Sequence, residues 1–98
     1  MFDLTGKVAI VTGGGGGLGR PIAVGLARCG ADVVVTSRDK SHLEPVVKDI
    51  QAVGRNALAV SCDVTDSASC KAMVEEVMKD FATVDILVNV AGTNCRFS

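Results

Sequence analysis

Apolar positions along the chain alternate between two rhythms. Short unbroken runs, Val8-Ala9-Ile10-Val11 and Val33-Val34-Val35, suit strands buried on both faces of a parallel sheet. Between the runs, apolar residues return at helical spacing. Ile22, Leu26 and Ala27 mark a helix over about Leu18 to Cys29, with Pro21 in its first turn and Gly30 ending it. Leu43, Val46, Val47, Ile50 and Val53 form one stripe of a second helix, and Gly54 stops it. Ser41 and Glu44 have the spacing of a capping box for that helix, while Pro45 predicts an irregular start. Cys70, Met73, Val74, Val77, Met78 and Phe81 mark a third helix, capped by Thr65 or Asp66, and its stripe is core packing. Strands are expected over Lys7–Thr12, Ala31–Ser37, Ala57–Cys62 and Val84–Val90.

The resulting order is βαβαβαβ, with connections long enough for crossover helices. This predicts an α/β fold, a Rossmann-like three-layer αβα arrangement with a parallel sheet in the order 3-2-1-4. Residues 1–98 are expected to form one partial domain that stops after strand 4. Ligands of such a fold sit at the carboxyl ends of the strands, near the order reversal between strands 1 and 4.

Four segments fall at those ends. The first is Thr12 to Gly19, T-G-G-G-G-G-L-G, between a strand and a helix. Glycine lets backbone lie against a ligand, and the first amides of the next helix lack partners, so the turn suits a pyrophosphate. The glycine run fits G-x-G-x-x-G, T-G-x-x-x-G-x-G and T-G-x-x-G-x-x-G alike. The second segment is Ser37-Arg38, where dinucleotide folds place the adenosine ribose. A guanidinium there suits a 2′-phosphate, which favours NADP over NAD, the alternative being a solvated surface arginine. The third is Asp63-Val64, placed either to hold an adenine edge or to begin the turn into the third helix. The fourth is Asn89-Val90-Ala91-Gly92: Asn89 either ties strands together or meets the cofactor ribose, and the small residues 91 and 92 admit a ring system.

Composition narrows the class. A chain of 98 residues with 48% apolar content is enough for one small globular domain, and a net charge of −1 gives no basis for a nucleic-acid or anionic-membrane partner. No apolar stretch nears the roughly 20 residues that span a bilayer. The N-terminus lacks the apolar segment of a secretory signal, so a cytoplasmic location is expected. Cys29, Cys62, Cys70 and Cys95 form no C-x-x-C pair, and His42 is the only histidine, so a zinc site is not expected and the cysteines are expected as packed, reduced thiols.

T-G-x-x-x-G-x-G at Thr12–Gly19, Asp63-Val64, and D-I-L-V-N-V-A-G at Asp85–Gly92 together resemble the classical short-chain dehydrogenases/reductases, from Thr5-Gly6-Lys7 onwards. The resemblance resolves the glycine ambiguity towards the second template. It implies that Gly13, Gly15, Gly16, Gly17, Leu18 and Gly19 hold the pyrophosphate, that Ser37 and Arg38 select NADP, that Asp63 and Val64 touch adenine, and that Asn89, Ala91 and Gly92 lie by the ribose. Val90 departs from the family's second asparagine, and Gly16 stands where NADP-binding relatives often carry a basic residue, so the NADP assignment rests on Arg38.

The family's chemistry uses Ser, Tyr and Lys, the last two in Y-x-x-x-K spacing. This chain has no tyrosine, so no catalytic residue is assigned to it. The resemblance therefore implies the N-terminal half of an NADP-dependent alcohol dehydrogenase or carbonyl reductase that keeps nucleotide binding without turnover. Its substrate would be a small carbonyl or alcohol. The segment A-G-T-N-C-R resembles relatives acting on sugars or polyols, and 3-oxoacyl thioesters are equally open. The full-length protein is expected to be a homo-oligomer, and the fragment to self-associate through the edge of strand 4. The alternative is a stand-alone, non-catalytic dinucleotide-binding or interaction module.

Overall fold

Strand β1 (Val8–Thr12) is buried along its whole length, which places it inside the sheet. In the computed structural model, which describes residues 3–14 and 17–90, β1 pairs in parallel with β2 (Asp32–Ser37) on one side and β4 (Ile86–Asn89) on the other. Strand β3 (Ala57–Ser61) continues the sheet beyond β2, giving the order β3-β2-β1-β4. Helices α1 (Gly19–Arg28), α2 (Glu44–Ala52) and α3 (Ser67–Asp80) connect the strands.

Successive strand residues point to opposite faces, and the core divides accordingly. Val11, Val33 and Val35 pack with Ala23 and Ala27 of α1 and with Val46 and Ile50 of α2. Ile10 and Val34 pack on the other face with Cys70, Met73 and Val77 of α3. This is the expected three-layer sandwich, and it leaves the carboxyl ends of all four strands along one rim.

Several boundaries move for identifiable reasons. The Ser41–Glu44 capping box does not form. Asp39 accepts hydrogen bonds from the Ser41 N–H at 3.0 Å and the Ser41 hydroxyl at 2.7 Å, and a 3-10 turn, Lys40–Leu43, precedes α2. Pro45 thereby falls at the start of α2, where no donor is required of it. Asp66, rather than Thr65, caps α3, accepting from the Ala68 N–H at 3.0 Å. Met78 of the α3 stripe is 47% exposed, while Cys70, Met73 and Val77 are buried. Cys29 and Cys62 are free thiols, whereas Cys70 is disulfide-bonded, so the expectation of reduced thiols fails at that position.

Strand β4 is shorter than Val84–Val90 because Asp85 takes over the ladder at its start. The Asp85 N–H donates to the Val8 carbonyl at 2.9 Å, and the Val8 N–H donates to the Asp85 carboxylate at 2.9 Å. Asp85→Ala removes one acceptor from the β1–β4 seam. We expect a loss of about 1 kcal/mol, the net worth of one such bond, read from urea unfolding. An unchanged midpoint would show that solvent replaces the carboxylate at no cost.

Candidate functional site

The rim begins with the turn after β1. Gly13 has φ of 74°, a left-handed conformation that favours glycine. Its N–H and that of Gly14 donate to the Thr36 carbonyl at 2.9 and 3.1 Å. These two amides are committed to closing the turn onto β2 and are not open to a phosphate. The turn's place is fixed from the other side by Gly19, where a Cβ would collide with the Gly13 carbonyl oxygen and stand 2.7 Å from the Gly14 Cα. At Gly17, by contrast, a Cβ would meet nothing within 4 Å. Gly17 is therefore not required by packing among the described residues. Gly15 and Gly16 lie outside the described residues.

The 3-10 turn and α3 are capped by Asp39 and Asp66, whereas α1 and α2 follow Leu18 and Leu43 with no side-chain cap. Of these two uncapped helices α2 carries Glu44 in its first turn, and α1 has no acidic residue there. Leu18 itself is 71% exposed. The first N–H groups of a helix carry the positive end of its dipole and accept an anion readily.

Beside this turn lies a cleft of about 440 Å³, lined by Gly13, Ser37, Arg38, Asp39, His42, Cys62, Val64 and Thr65. It brings together three of the four predicted segments. Arg38 and Asp63 face each other as an ion pair at 3.4 Å. The Asp63 carboxylate accepts from the Thr65 hydroxyl at 2.6 Å and the Thr65 N–H at 3.0 Å, so Asp63 does begin the turn towards α3. Those two bonds, reinforced by the Arg38 guanidinium, hold the Asp63 carboxyl below its ordinary range. Burial pushes the Cys62 thiol up, against a hydrogen bond from Ser69. A thiol so disfavoured as thiolate is a packing group at the cleft wall.

Asn89 is the fourth segment's described residue. The Thr12 hydroxyl, 3.0 Å from Asn89 Oδ1 and 3.3 Å from the Val88 carbonyl, joins β1 to β4. Of the two roles weighed from sequence, strand tie and ribose contact, the first is the one these bonds describe. Ala91 and Gly92 lie outside the described residues, as does the A-G-T-N-C-R segment.

Two participants had no sequence motif behind them. Asp39 follows Arg38 directly, yet its carboxylate is folded back onto Ser41, whose hydroxyl and N–H keep its pKa low. His42 completes the cleft, with Nε2 at 3.5 Å from the Asp39 carboxylate. The available signal was position: His42 follows Arg38 by one helical turn. A larger groove of about 750 Å³ lies between α2 and β3 and is lined by Lys40, Glu44 and Lys48 among others, but by no residue of the four strand-end segments. Among the described residues no group of three His, Cys, Asp or Glu side chains could hold a metal ion, and no helix is long and apolar enough to cross a membrane.

Comparisons with known proteins agree with this geometry. The family model for short chain dehydrogenases matches residues 7–98. Over 96 residues the chain is 45% identical to the 2-dehydro-3-deoxy-D-gluconate 5-dehydrogenase of Pseudoalteromonas atlantica, covering 97% of this chain and 38% of that protein. The structure of the Pseudomonas aeruginosa RhlG/NADP active-site complex superposes with a TM-score of 0.85 at 35% identity, covering 94% of this chain and 37% of that one. NAD+-bound xylitol dehydrogenase superposes with a TM-score of 0.82 at 32% identity, covering 86% of this chain and 32% of that one. The chain thus spans about a third of the length of the relatives it matches.

Proposed function

The chain belongs to the short-chain dehydrogenase/reductase family, and on that premise we propose that it binds the adenosine and pyrophosphate half of NADP for an oxidoreductase acting on an alcohol or carbonyl. One observation carries the reading: α1 begins with no side-chain cap, directly beside a cleft of nucleotide size. The amides of Gly17, Leu18 and Gly19 are the groups to receive the pyrophosphate, Gly13 shapes the turn, and Gly15 and Gly16 are assigned to the same cofactor site. Adenine takes the cleft beside Asp63 and Val64, and Asn89, Ala91 and Gly92 border the ribose on the side of β4.

NADP is preferred over NAD for two reasons. Arg38 is 72% exposed at the cleft, so its guanidinium is available to a 2′-phosphate. The adjacent carboxylate of Asp39 is engaged with Ser41, so it does not offer the ribose hydroxyls the acceptor expected in an NAD site. Relatives are known with either dinucleotide bound.

When bound, the dinucleotide supplies the hydride donor or acceptor. This chain's residues hold and orient its adenosine end. No tyrosine is present to exchange the alcohol proton, so the 98 residues bind without turning over. We assign residues 1–98 to one partial dinucleotide-binding domain, in a cytoplasmic protein with a small substrate of the sugar, polyol or 3-oxoacyl kind. The 40% exposure of Leu87 on β4 supports self-association along that strand.

A thermal melt followed by circular dichroism tests the proposal. Ligand at a hundred times its dissociation constant stabilises a fold by about 2.7 kcal/mol, so saturating NADP should raise the midpoint by several degrees. No rise would reject nucleotide binding, and NADPH oxidation by the chain with any carbonyl substrate would reject the absence of turnover.

A further inference from the structure

The nucleotide cleft contains two cationic side chains, and only one of them has a constant charge. Arg38 and His42 stand on the β2 side. Each faces a carboxylate: Arg38 faces Asp63 at 3.4 Å, and His42 Nε2 faces Asp39 at 3.5 Å. Of the other ionisable groups, the buried Cys62 thiol just past β3 lines the same cleft. Lys40, Glu44 and Lys48 line the separate groove between α2 and β3. With a neutral imidazole, the carboxylate of Asp39 in the cleft and that of Asp63 beside Arg38 oppose one guanidinium. With an imidazolium, the cleft is balanced.

We propose that His42 is a specificity-determining residue whose protonation strengthens selection of the 2′-phosphate, so that this chain discriminates NADP from NAD more sharply below neutral pH. The inference rests on the NADP reading above and adds to it a second phosphate contact that changes with pH. An imidazole changes charge between about pH 5 and 8. The Asp39 carboxyl, held low first by the Ser41 hydroxyl and then by the Ser41 N–H, stays charged through that range. A phosphate monoester loses its second proton near pH ~6, so above pH 6.5 the 2′-phosphate is mostly dianionic. Anion binding favours the imidazolium, so the phosphate-selective part of affinity rises as pH falls from 8.5 to 6.5.

The test is calorimetric titration of the chain with adenosine 2′,5′-bisphosphate and with 5′-AMP at constant ionic strength, at pH 6.5 and 8.5. The 5′-phosphate is common to both probes, so the ratio of their affinities isolates the 2′-phosphate. For the natural chain the ratio should be about threefold larger at pH 6.5 than at pH 8.5. In His42→Gln it should not rise on acidification, and in His42→Lys it should be high at both values. The His42 side chain is 67% exposed, so both variants keep the fold.

An unchanged pH profile in His42→Gln overturns the role of His42. The NADP reading still stands in that case if the ratio exceeds one and Arg38→Gln abolishes it. A ratio of one for the natural chain at both values overturns both.

Discussion

Gly19→Ala weakens binding of ADP or NADP by about a hundredfold and lowers the stability of the chain by about 1–3 kcal/mol. The stability loss follows from contact with backbone alone: the new methyl group would collide with the Gly13 carbonyl oxygen and crowd the Gly14 Cα at 2.7 Å. No side-chain rotation relieves either contact, and overpacking of this kind costs about 1–3 kcal/mol. The binding loss has a separate origin. Displacing the turn from the start of α1 misaligns the amides that meet the phosphates. A hydrogen bond to a charged group is worth about 1.5–3 kcal/mol, and each 1.4 kcal/mol is about tenfold in affinity, so losing one or two of them reaches a hundredfold.

Gly17→Ala separates the two effects. Its Cβ would meet nothing within 4 Å among the described residues, so stability should hold while binding falls if phosphate occupies that space. Urea unfolding and calorimetry on both variants make the comparison. Full affinity in Gly19→Ala would remove the phosphate role of the turn.

Arg38→Gln reduces the preference for adenosine 2′,5′-bisphosphate over 5′-AMP by about ten- to a hundredfold, and leaves 5′-AMP affinity within about twofold. The guanidinium offers paired donors to a phosphate, and the same range of about 1.5–3 kcal/mol per charged hydrogen bond sets the scale. Its present partner is a weak competitor. The Arg38–Asp63 pair is 3.4 Å long, with side chains 72% and 41% exposed, and pairs so exposed are worth about 0–1 kcal/mol. Asp63 keeps its two bonds from Thr65 when Arg38 turns to the ligand. The fold should tolerate the change to within about 0.5 kcal/mol, as exposed substitutions generally do. A preference that survives in Arg38→Gln would assign the 2′-phosphate to other residues.

The sheet was legible in the sequence because burial on both faces leaves a plain record. Val8 to Val11 and Val33 to Val35 are unbroken apolar runs, and four strands with crossover helices leave few parallel arrangements. Placement of the glycine turn, Ser37-Arg38 and Asp63-Val64 along one rim followed from that topology.

Local polar competition was less legible. Ser41 and Glu44 have the spacing of a capping box, but Asp39, two residues earlier, captures Ser41 through both its N–H and its hydroxyl. A short side chain that can bond the backbone two residues ahead prevails over the pattern that begins at Ser41. The same capture brings His42 to the cleft, a consequence that its isolated occurrence in the sequence could not convey. Asp85 is similar: it sits inside the D-I-L-V-N-V-A-G segment, and only the register of β4 against β1 shows that its carboxylate serves the Val8 N–H. The Gly13 and Gly14 amides close onto Thr36, and the proposed phosphate contacts are therefore placed at the start of α1.

We propose that the uncapped amides at the beginning of α1 receive a dinucleotide's phosphates. The most direct test follows amide chemical shifts of the 15N-labelled chain during titration with ADP, with adenosine as the reference ligand. We predict that the Gly17, Leu18 and Gly19 amides move with ADP along one saturating curve and stay near their starting positions with adenosine, while residues lining the Arg38–Asp63 cleft respond to both. Equal responses of those three amides to ADP and adenosine, or none to either, would contradict it.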